Sequence, residues 1–453
     1  MSNYYIYISE NVHAIHYFGN KIIINRGDEM LRLNQQLSTI CKIVLRTKEC
    51  TLEQLTDDFI TEHGITPVQN ASRQKIKNLL EYQITKTKYG KFIFYTGKKN
   101  NVNKFIVTGV EGKYYPLALT IEVTNQCNLK CSHCYKNADP TKNDYLNLSD
   151  IENLCRILPN NIDFSISGGE CTLYPQFNNL IRYLHTIGNV AVITNGINLR
   201  NIDENILQLV NQYQISIYGL NDKEYYSNTG ITNGLHKLKE SVYKLKHYNC
   251  NYSMSIILDK DKIDKLEKYI LLAIELGAKN IQVGLPSKSG RLSRETPMNK
   301  NWFLNEDDIK KAYRLLRLLS EKYKNYISVG IWEREVLRKK YSRNDPNSPY
   351  NYYSPHCMGC GAGTFHWTIN EKLRVRPCAL IPEEFESANF DLDAFYKFIE
   401  GDIQINWDKI MSKFEAECNK TGINSADYCD NFSSFLHEPI GTLRSFANPT
   451  SLS

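Results

Sequence analysis

Thr124-Asn-Gln-Cys-Asn-Leu-Lys-Cys-Ser-His-Cys-Tyr135 follows directly on an apolar run, Leu117–Val123, and places Cys127, Cys131 and Cys134 in a C-x3-C-x2-C pattern. Three thiolates on one short loop can hold three irons of a [4Fe–4S] cube and leave the fourth iron without a protein ligand. An open metal position is what catalytic centres keep and structural centres close. The competing readings are a structural zinc site or three unrelated buried cysteines. Zinc sites usually pair two C-x2-C units and complete four ligands nearby. His133 stands between two of the loop cysteines, where a ligating ring would crowd the metal. The spacing favours an iron–sulfur cluster.

Outward from this loop the chain alternates strand and helix. Near-continuous apolar strands are expected at Leu117–Val123, Ile162–Ser167, Val190–Thr194, Gln214–Tyr218, Tyr252–Leu258 and Asn280–Leu285. Buried parallel strands have this look because both of their faces are covered. A helix is expected from Ser149, with Glu152 closing a capping box and Ile151, Leu154, Cys155 and Leu158 turned inward. Another ends at Gly277, a residue suited to a left-handed cap. Six such units give an α/β fold, an open partial (β/α)6 TIM-like barrel over residues 109–340. Active sites of such barrels gather at the carboxyl ends of the strands. The cysteine loop follows the first strand and falls on that face.

Residues 1–108 have the pattern of a small winged-helix-like α+β module. His13–Phe18 and Lys21–Asn25 are strand-like and separated by Gly19-Asn20, a two-residue hairpin turn. A helix follows with Leu33, Leu37, Ile40, Cys41 and Val44 on one face. Thr51 and Gln54 form a capping box for a second helix carrying Leu52, Leu55 and Phe59. Ile76, Leu79, Leu80 and Ile84 mark a third, before a strand at Phe92–Tyr95. Arg73, Lys75, Lys77 and Lys86 on the third helix leave DNA binding open as an alternative, although lysines on a helix are usually a solvated face. Residues 341–453 form a second cysteine-rich region with Cys357, Cys360, Cys378, Cys418 and Cys429.

The 453 residues, 42% hydrophobic and 23% charged, describe an ordinary globular protein of about three domains. No apolar run reaches membrane-spanning length, and the amino terminus lacks a basic-then-apolar signal segment. Thirteen cysteines in such a chain imply reduced thiols and metal ligation in the cytoplasm, not a disulfide framework. The net charge of +6 suits an acidic peptide partner and is too diffuse to argue for nucleic acid.

With an aromatic residue directly after its third cysteine, the loop resembles the signature of the radical S-adenosylmethionine (SAM) superfamily. The resemblance implies that the open iron of a [4Fe–4S] cluster chelates SAM and, once reduced, cleaves it to a 5′-deoxyadenosyl radical that takes hydrogen from an unactivated carbon. It also implies an electron donor such as flavodoxin or ferredoxin. Gly168-Gly169-Glu170, ending the second strand, is similar to the Gly-Gly-Glu that meets the amino group of SAM in this family. Paired glycines let a ligand approach the backbone, and a carboxylate suits an ammonium group. Cys171 stands where the family often has proline; it either packs or serves as a thiol near the reacting centre. Thr194-Asn195 and Ser216 resemble strand ends that bind the SAM carboxylate and ribose. Met254 or Ser255, with Leu285, would line the adenine pocket or pack as core, and Arg291 is assigned to the SAM or substrate site. Cys360-Gly-Ala-Gly followed by Arg376-Pro-Cys378-Ala-Leu and Glu384-Phe385 resembles the SPASM/twitch domain of sactipeptide maturases of the subtilosin type. That likeness implies one auxiliary [4Fe–4S] cluster drawn from Cys357, Cys360, Cys378, Cys418 and Cys429, with zinc as the alternative metal. The amino-terminal module then resembles the leader-binding element of enzymes acting on ribosomally made precursor peptides. A thioether or carbon-centred cross-link is the implied product; epimerisation, with Cys171 as hydrogen donor, and protein or RNA modification are the alternatives.

Overall fold

Alternation of β-branched residues with short polar turns at the amino terminus produces two small sheets against four helices. In this computed structural model the described residues are 4–26, 29–33, 35–65, 70–97, 105–159, 162–287, 289–293, 296, 299–331, 363, 366–381, 385, 389–403, 413 and 416–417. Strands β1 (Tyr5–Ile8), β2 (Ala14–Phe18), β3 (Lys21–Arg26) and β4 (Glu29–Arg32) come first. Phe18 pairs with Lys21 across the Gly19-Asn20 turn, as the hairpin reading requires. Gly19 has φ +59, and a Cβ there would lie 2.4 Å from the Tyr114 ring, so only glycine fits.

Helix α1 (Gln35–Thr47) buries Leu37, Ile40, Cys41 and Val44, whereas Leu33 precedes the helix and is buried on its own account. After the short β5 (Cys50–Thr51), α2 (Leu52–Glu62) opens with the expected capping box: the Gln54 N–H donates to Thr51 Oγ1 at 3.3 Å and the Thr51 N–H to Gln54 Oε1 at 2.9 Å. We expect Thr51→Ala to cost about 1 kcal/mol locally. Hydrogen exchange of the α2 amides in the full chain should then quicken roughly fivefold, and unchanged exchange would mean that the cap contributes nothing. Helix α3 (Asn70–Thr85) buries Leu80 and Ile84. The expected strand at Phe92–Tyr95 begins later: α4 (Lys88–Ile93) runs first, capped by Thr87, and β6 is Phe94–Gly97. Strand β7 (Ile106–Thr108) lies parallel to β2. The sheets are ordered β5-β1-β6 and β4-β3-β2-β7.

The second layer set is one nine-stranded sheet flanked by helices. It contains β8 (Ala118–Glu122), α5 (Leu148–Ile157), β9 (Ile162–Ser167), α6 (Phe177–His185), β10 (Gly188–Thr194), α7 (Glu204–Leu207) and β11 (Gln212–Ser216). Then come α8 (Asp222–Thr229), α9 (Gly234–His247), β12 (Tyr252–Ile257), α10 (Lys260–Ile263), α11 (Leu266–Glu275) and β13 (Asn280–Gly284). Strands β8 to β13 pair in parallel and in sequence order, which is the six-unit progression read from the chain. Helix α12 (Glu306–Tyr323) leads to a seventh parallel strand, β14 (Ser328–Ile331). On the far side, β15 (His366–Ile369) pairs parallel with β8, and β16 (Val375–Arg376) pairs antiparallel with β15; helix α13 (Leu392–Ile399) follows. The cysteine-rich region thus extends the same sheet.

Helix α5 starts earlier than the sequence pattern predicts. It begins at Leu148 with Asn147 as its cap residue, and no side chain bonds that cap, so Ser149 and Glu152 form no capping box. Ile151, Leu154 and Cys155 face inward as the periodicity requires. Tyr114 joins the layers: its ring meets Phe18 edge-on at 5.3 Å and stacks on Phe398 at 5.3 Å, while its N–H donates to the Ile399 carbonyl at 2.7 Å.

Candidate active site

The cysteine loop leaves the carboxyl end of β8 and is held by backbone bonds from several neighbours. Cys127 N–H donates to Asp139 O at 3.2 Å, Lys130 N–H to Thr229 O at 3.0 Å, and Ser132 N–H to Asn228 O at 3.1 Å. At the end of β9, Gly169 N–H donates to Thr124 O at 2.6 Å and Glu170 N–H to Gln126 O at 2.8 Å. A Cβ on Gly169 would stand 2.1 Å from Gln126 O, and one on Gly168, at φ +140, would stand 2.5 Å from Thr124 O. This changes the meaning of the glycine pair. On that side, the backbone that approaches it is the chain's own cysteine loop.

Gly290 and Arg291 grip the same loop from the opposite side. Arg291 Nη1 donates to Cys131 O at 2.8 Å and Nη2 to Ala138 O at 2.6 Å, and the Arg291 N–H donates to Cys134 O at 3.0 Å. A Cβ on Gly290 would lie 2.3 Å from both Cys134 O and Tyr135 O. Arg291 therefore positions the loop, and its terminal nitrogens are already committed there instead of to a SAM or substrate group.

Cys127 and Cys131 are buried and Cys134 is half-buried. Burial pushes the Cys127 thiol far up, with the Glu170 carboxylate and the two neighbouring thiols adding to it. Cys131 is pushed up to about 12, chiefly by burial and then by Cys134. Three mutually repelling sulfurs in a dry loop are a donor set that a cation relieves, since binding metal deprotonates its thiol ligands. Amide donors already face them: Leu129 N–H lies 3.4 Å from Cys127 Sγ and Ala138 N–H 3.4 Å from Cys134 Sγ. Bonds of this kind to ligand sulfur tune a cluster's potential. As placed, no three His, Cys, Asp or Glu side chains among the described residues converge to hold one metal ion. Taking up a cluster would therefore include turning the thiols toward one another. The donor chemistry fits an iron–sulfur cluster.

Glu170 is 1% exposed. Its Oε1 accepts from Thr172 N–H at 3.2 Å, Thr172 Oγ1 at 2.6 Å and Thr194 Oγ1 at 2.6 Å, while Oε2, among the described residues, accepts only from Asn195 N–H at 2.8 Å. Burial holds this carboxyl above the usual carboxylate range, against the pull of those hydrogen bonds. Oε2 retains acceptor capacity that an ammonium donor could use. Asn195 Nδ2 reaches Asn128 Oδ1 at 2.7 Å and Cys127 Sγ at 3.9 Å, tying the third strand end to the loop. The hydroxyls of Ser216 and Ser255 stand 3.4 Å apart. Met254 is fully buried and packs as core, the second of its two readings, and Leu285 is half-buried against that core. Cys171 is also fully buried, its thiol donating to Ile193 O at 3.4 Å, so the packing reading describes it.

A buried charge network escaped the sequence reading. Glu122, 0% exposed at the end of β8, accepts from Tyr135 Oη at 2.7 Å, Lys136 Nζ at 2.9 Å and Arg376 Nη2 at 2.6 Å. Lys136 Nζ also pairs with Glu371 at 2.6 Å. The signal was there, a lone glutamate in an otherwise apolar strand. His133 packs against Trp302 with ring centres 4.2 Å apart and planes tilted by 36°, and burial, then the charges of Lys262 and Arg291, push its pKa down to about 3. A neutral ring packed against Trp302 describes a packing residue of the loop. Cys378 is half-buried and accepts the Leu380 N–H at 3.4 Å; Cys357, Cys360, Cys418 and Cys429 lie outside the described residues.

Among the described residues no helix is long and apolar enough to cross a membrane. Known proteins bear on this geometry at three levels. The subtilosin biosynthesis protein AlbA of Bacillus subtilis is 22% identical over 73% of this chain and 70% of that protein. The sporulation killing factor maturation protein SkfB of the same organism is 23% identical over 60% of this chain and 63% of that protein. Among solved structures, SuiB of Streptococcus suis superposes with a TM-score of 0.54 at 14% identity, covering 82% of this chain and 83% of SuiB. The form of SuiB bound to its precursor peptide SuiA gives 0.51 at 15% identity, covering 87% of each chain. At such identity the likeness to SuiB speaks for the fold alone. The family model of the Radical SAM superfamily matches residues 121–273, from β8 to within α11, so this chain carries a radical SAM domain.

Proposed function

We propose that this chain is a peptide maturase that forms a thioether or carbon-centred cross-link in a ribosomally made precursor peptide. The observation that carries the reading is the three-cysteine loop, clamped between Gly168-Gly169-Glu170 and Gly290-Arg291 at the strand ends of the radical SAM domain. The names of AlbA and SkfB, and the SuiA peptide bound by SuiB, support peptide as the substrate class. When bound, a [4Fe–4S] cluster and SAM would supply the 5′-deoxyadenosyl radical that removes a substrate hydrogen atom. Cys127, Cys131 and Cys134 would hold the cluster. Glu170 Oε2 and the neighbouring Asn195 would orient SAM, with Ser216 nearby.

The division proposed is a leader-binding module over residues 1–108, a partial (β/α)6 barrel over 109–340, and an auxiliary-cluster region over 341–453. Leader binding by strand addition is supported by β7, an edge strand whose Ile106 and Val107 are 54% and 48% exposed. In the last region Cys378, with Cys357, Cys360, Cys418 and Cys429, would hold one auxiliary cluster and accept the electron lost when the cross-link closes. Full burial of Cys171 weighs against an epimerase that needs a thiol facing substrate.

The test is anaerobic reconstitution of the full chain, with SAM and dithionite and, as substrate, a short cysteine-containing peptide encoded beside the gene. We expect 5′-deoxyadenosine, about eight irons per chain, and a peptide product lighter by two hydrogens. Bound zinc with no 5′-deoxyadenosine would sink the catalytic reading; 5′-deoxyadenosine with an unchanged peptide would sink the substrate.

A further inference from the structure

The segments that follow β11, β12 and β13 converge on one side chain of the cysteine loop. Cys134 N–H donates to Cys131 O at 3.2 Å, so Cys131-Ser-His-Cys134 is a tight turn with His133 as its third residue. His133 Nδ1 is buried and has no hydrogen-bond partner among the described residues, so packing, not a bond to that nitrogen, orients the ring. The packing is aromatic: the ring centre of Trp302 lies 4.2 Å away and that of Tyr218, just past β11, 5.9 Å away. Trp302 closes a single 3-10 turn, Lys300–Trp302, between β13 and α12, and is buried. Over its ring, 4.1 Å from the centre, stands Nζ of Lys262 from α10. A cation shielded from water over an indole face is held more firmly than an exposed one. Lys262 is itself buried; Asp259, the cap residue of α10, pairs with its ammonium and accepts its backbone N–H at 2.8 Å.

The Trp302 turn is fixed on both sides. Trp302 N–H donates to Asn299 O at 2.9 Å, Asn299 Nδ2 to Arg291 O at 3.4 Å, and Asn301 Nδ2 to Asp261 Oδ2 of α10 at 3.1 Å. Arg291 thus holds the Cys131–Cys134 turn by its carbonyls, and Trp302 meets the same turn by its side chain. We propose that Trp302 is a positioning residue for the cysteine loop: kept in place by Lys262, it holds His133 and through it the turn that carries Cys131 and Cys134. The inference rests on the reading of those cysteines as cluster ligands and adds the residues that keep two of them in register. A ligand pair on a turn pinned from both backbone and side chain loses less freedom when it takes up metal.

The test reads the thiols directly. On the metal-free full chain, iodoacetamide alkylation followed by mass spectrometry gives a rate for each cysteine. Trp302→Ala should quicken alkylation of Cys131 and Cys134 roughly tenfold or more, because the turn opens more often. Cys155, on the inner face of α5, should keep its wild-type rate. Trp302→Phe retains an aromatic face and should stay near wild type. Lys262→Met should fall between wild type and Trp302→Ala, and Lys262→Arg should restore the wild-type rate. After anaerobic reconstitution, Trp302→Ala should lack about four irons per chain, the content of one cube. Wild-type rates in Trp302→Ala or Lys262→Met would overturn the proposal, as would a Trp302→Phe chain as reactive as Trp302→Ala. Equal quickening of Cys155 would make Trp302 an ordinary core residue and also overturn it. A wild-type chain that takes up no iron would sink the cluster reading, while the alkylation rates decide the positioning role on their own.

Discussion

Gly169→Ala is expected to abolish 5′-deoxyadenosine formation and to strip the iron held by the cysteine loop. The added methyl would meet Gln126 O at 2.1 Å, its carbonyl carbon at 2.6 Å and Asn125 O at 2.9 Å. These are backbone atoms and cannot rotate away as a side-chain tip can. Relieving the overlap means parting β9 from the loop, with loss of the bonds from Gly169 N–H to Thr124 O and from Glu170 N–H to Gln126 O. Overpacking of a well-filled site and two lost hydrogen bonds together cost about 3 kcal/mol or more. Gly169 itself has no left-handed backbone, so the effect is contact alone. Gly64→Ala is the control: it sits at φ +58 with nothing within 4 Å of a Cβ, and should cost about 1 kcal/mol without touching the metal. The check is iron per chain after anaerobic reconstitution, alongside the SAM cleavage assay. Wild-type iron and turnover in Gly169→Ala would show that the glycine pair is not what seats the loop.

Why sequence reading found the loop but misjudged its supports follows from what each signal depends on. The C-x3-C-x2-C spacing is local, so Cys127, Cys131 and Cys134 stand out in the sequence alone. Parallel strands buried on both faces are also local signals, and all six expected strands are present within a few residues of their expected ends. Strand β14 and the pair β15 and β16 were missed because they are short, and β15 joins β8 from about 250 residues away. Gly168, Gly169 and Arg291 were read as ligand contacts, and in the structure they, with Gly290, meet the cysteine loop. Their partners are backbone atoms of a loop distant in sequence, which no periodicity can show. The Ser149 capping box failed for a smaller reason. The pattern Ser-x-x-Glu occurs one turn position inside a helix whose true start, Asn147, offers its own side chain to Asp150 instead.

The same distance effect hid the Glu122 network, and it carries the second large prediction. Glu122→Gln is expected to destabilise the radical SAM domain by about 3 kcal/mol, because it leaves buried cations facing a neutral amide. Lys136 would keep Glu371 and Arg376 would keep the Ile381 carbonyl at 2.6 Å, which holds the loss near the lower end for a broken buried pair. Acid should mimic the substitution. Burial alone would raise the Glu122 carboxyl, but the charges of Lys136 and Arg376 outweigh it and hold the carboxyl below the usual carboxylate range. A depressed folded-state value contributes stability above the unfolded value, about pH 4.3 for glutamate, and loses it as pH falls toward the folded value. Wild type should therefore lose stability steadily below about pH 4.3, and Glu122→Gln should lose less over the same window. Urea unfolding of the metal-free chain, followed by tryptophan fluorescence with Trp367 one strand away on β15, would measure both. Replacing Arg376 by Met in the Glu122→Gln background should recover part of the deficit, since an apolar side chain removes the stranded charge. If the single substitution leaves the urea midpoint unchanged, the network is ornamental. The link it makes between the cysteine loop and the segment before Cys378 would then carry no energy.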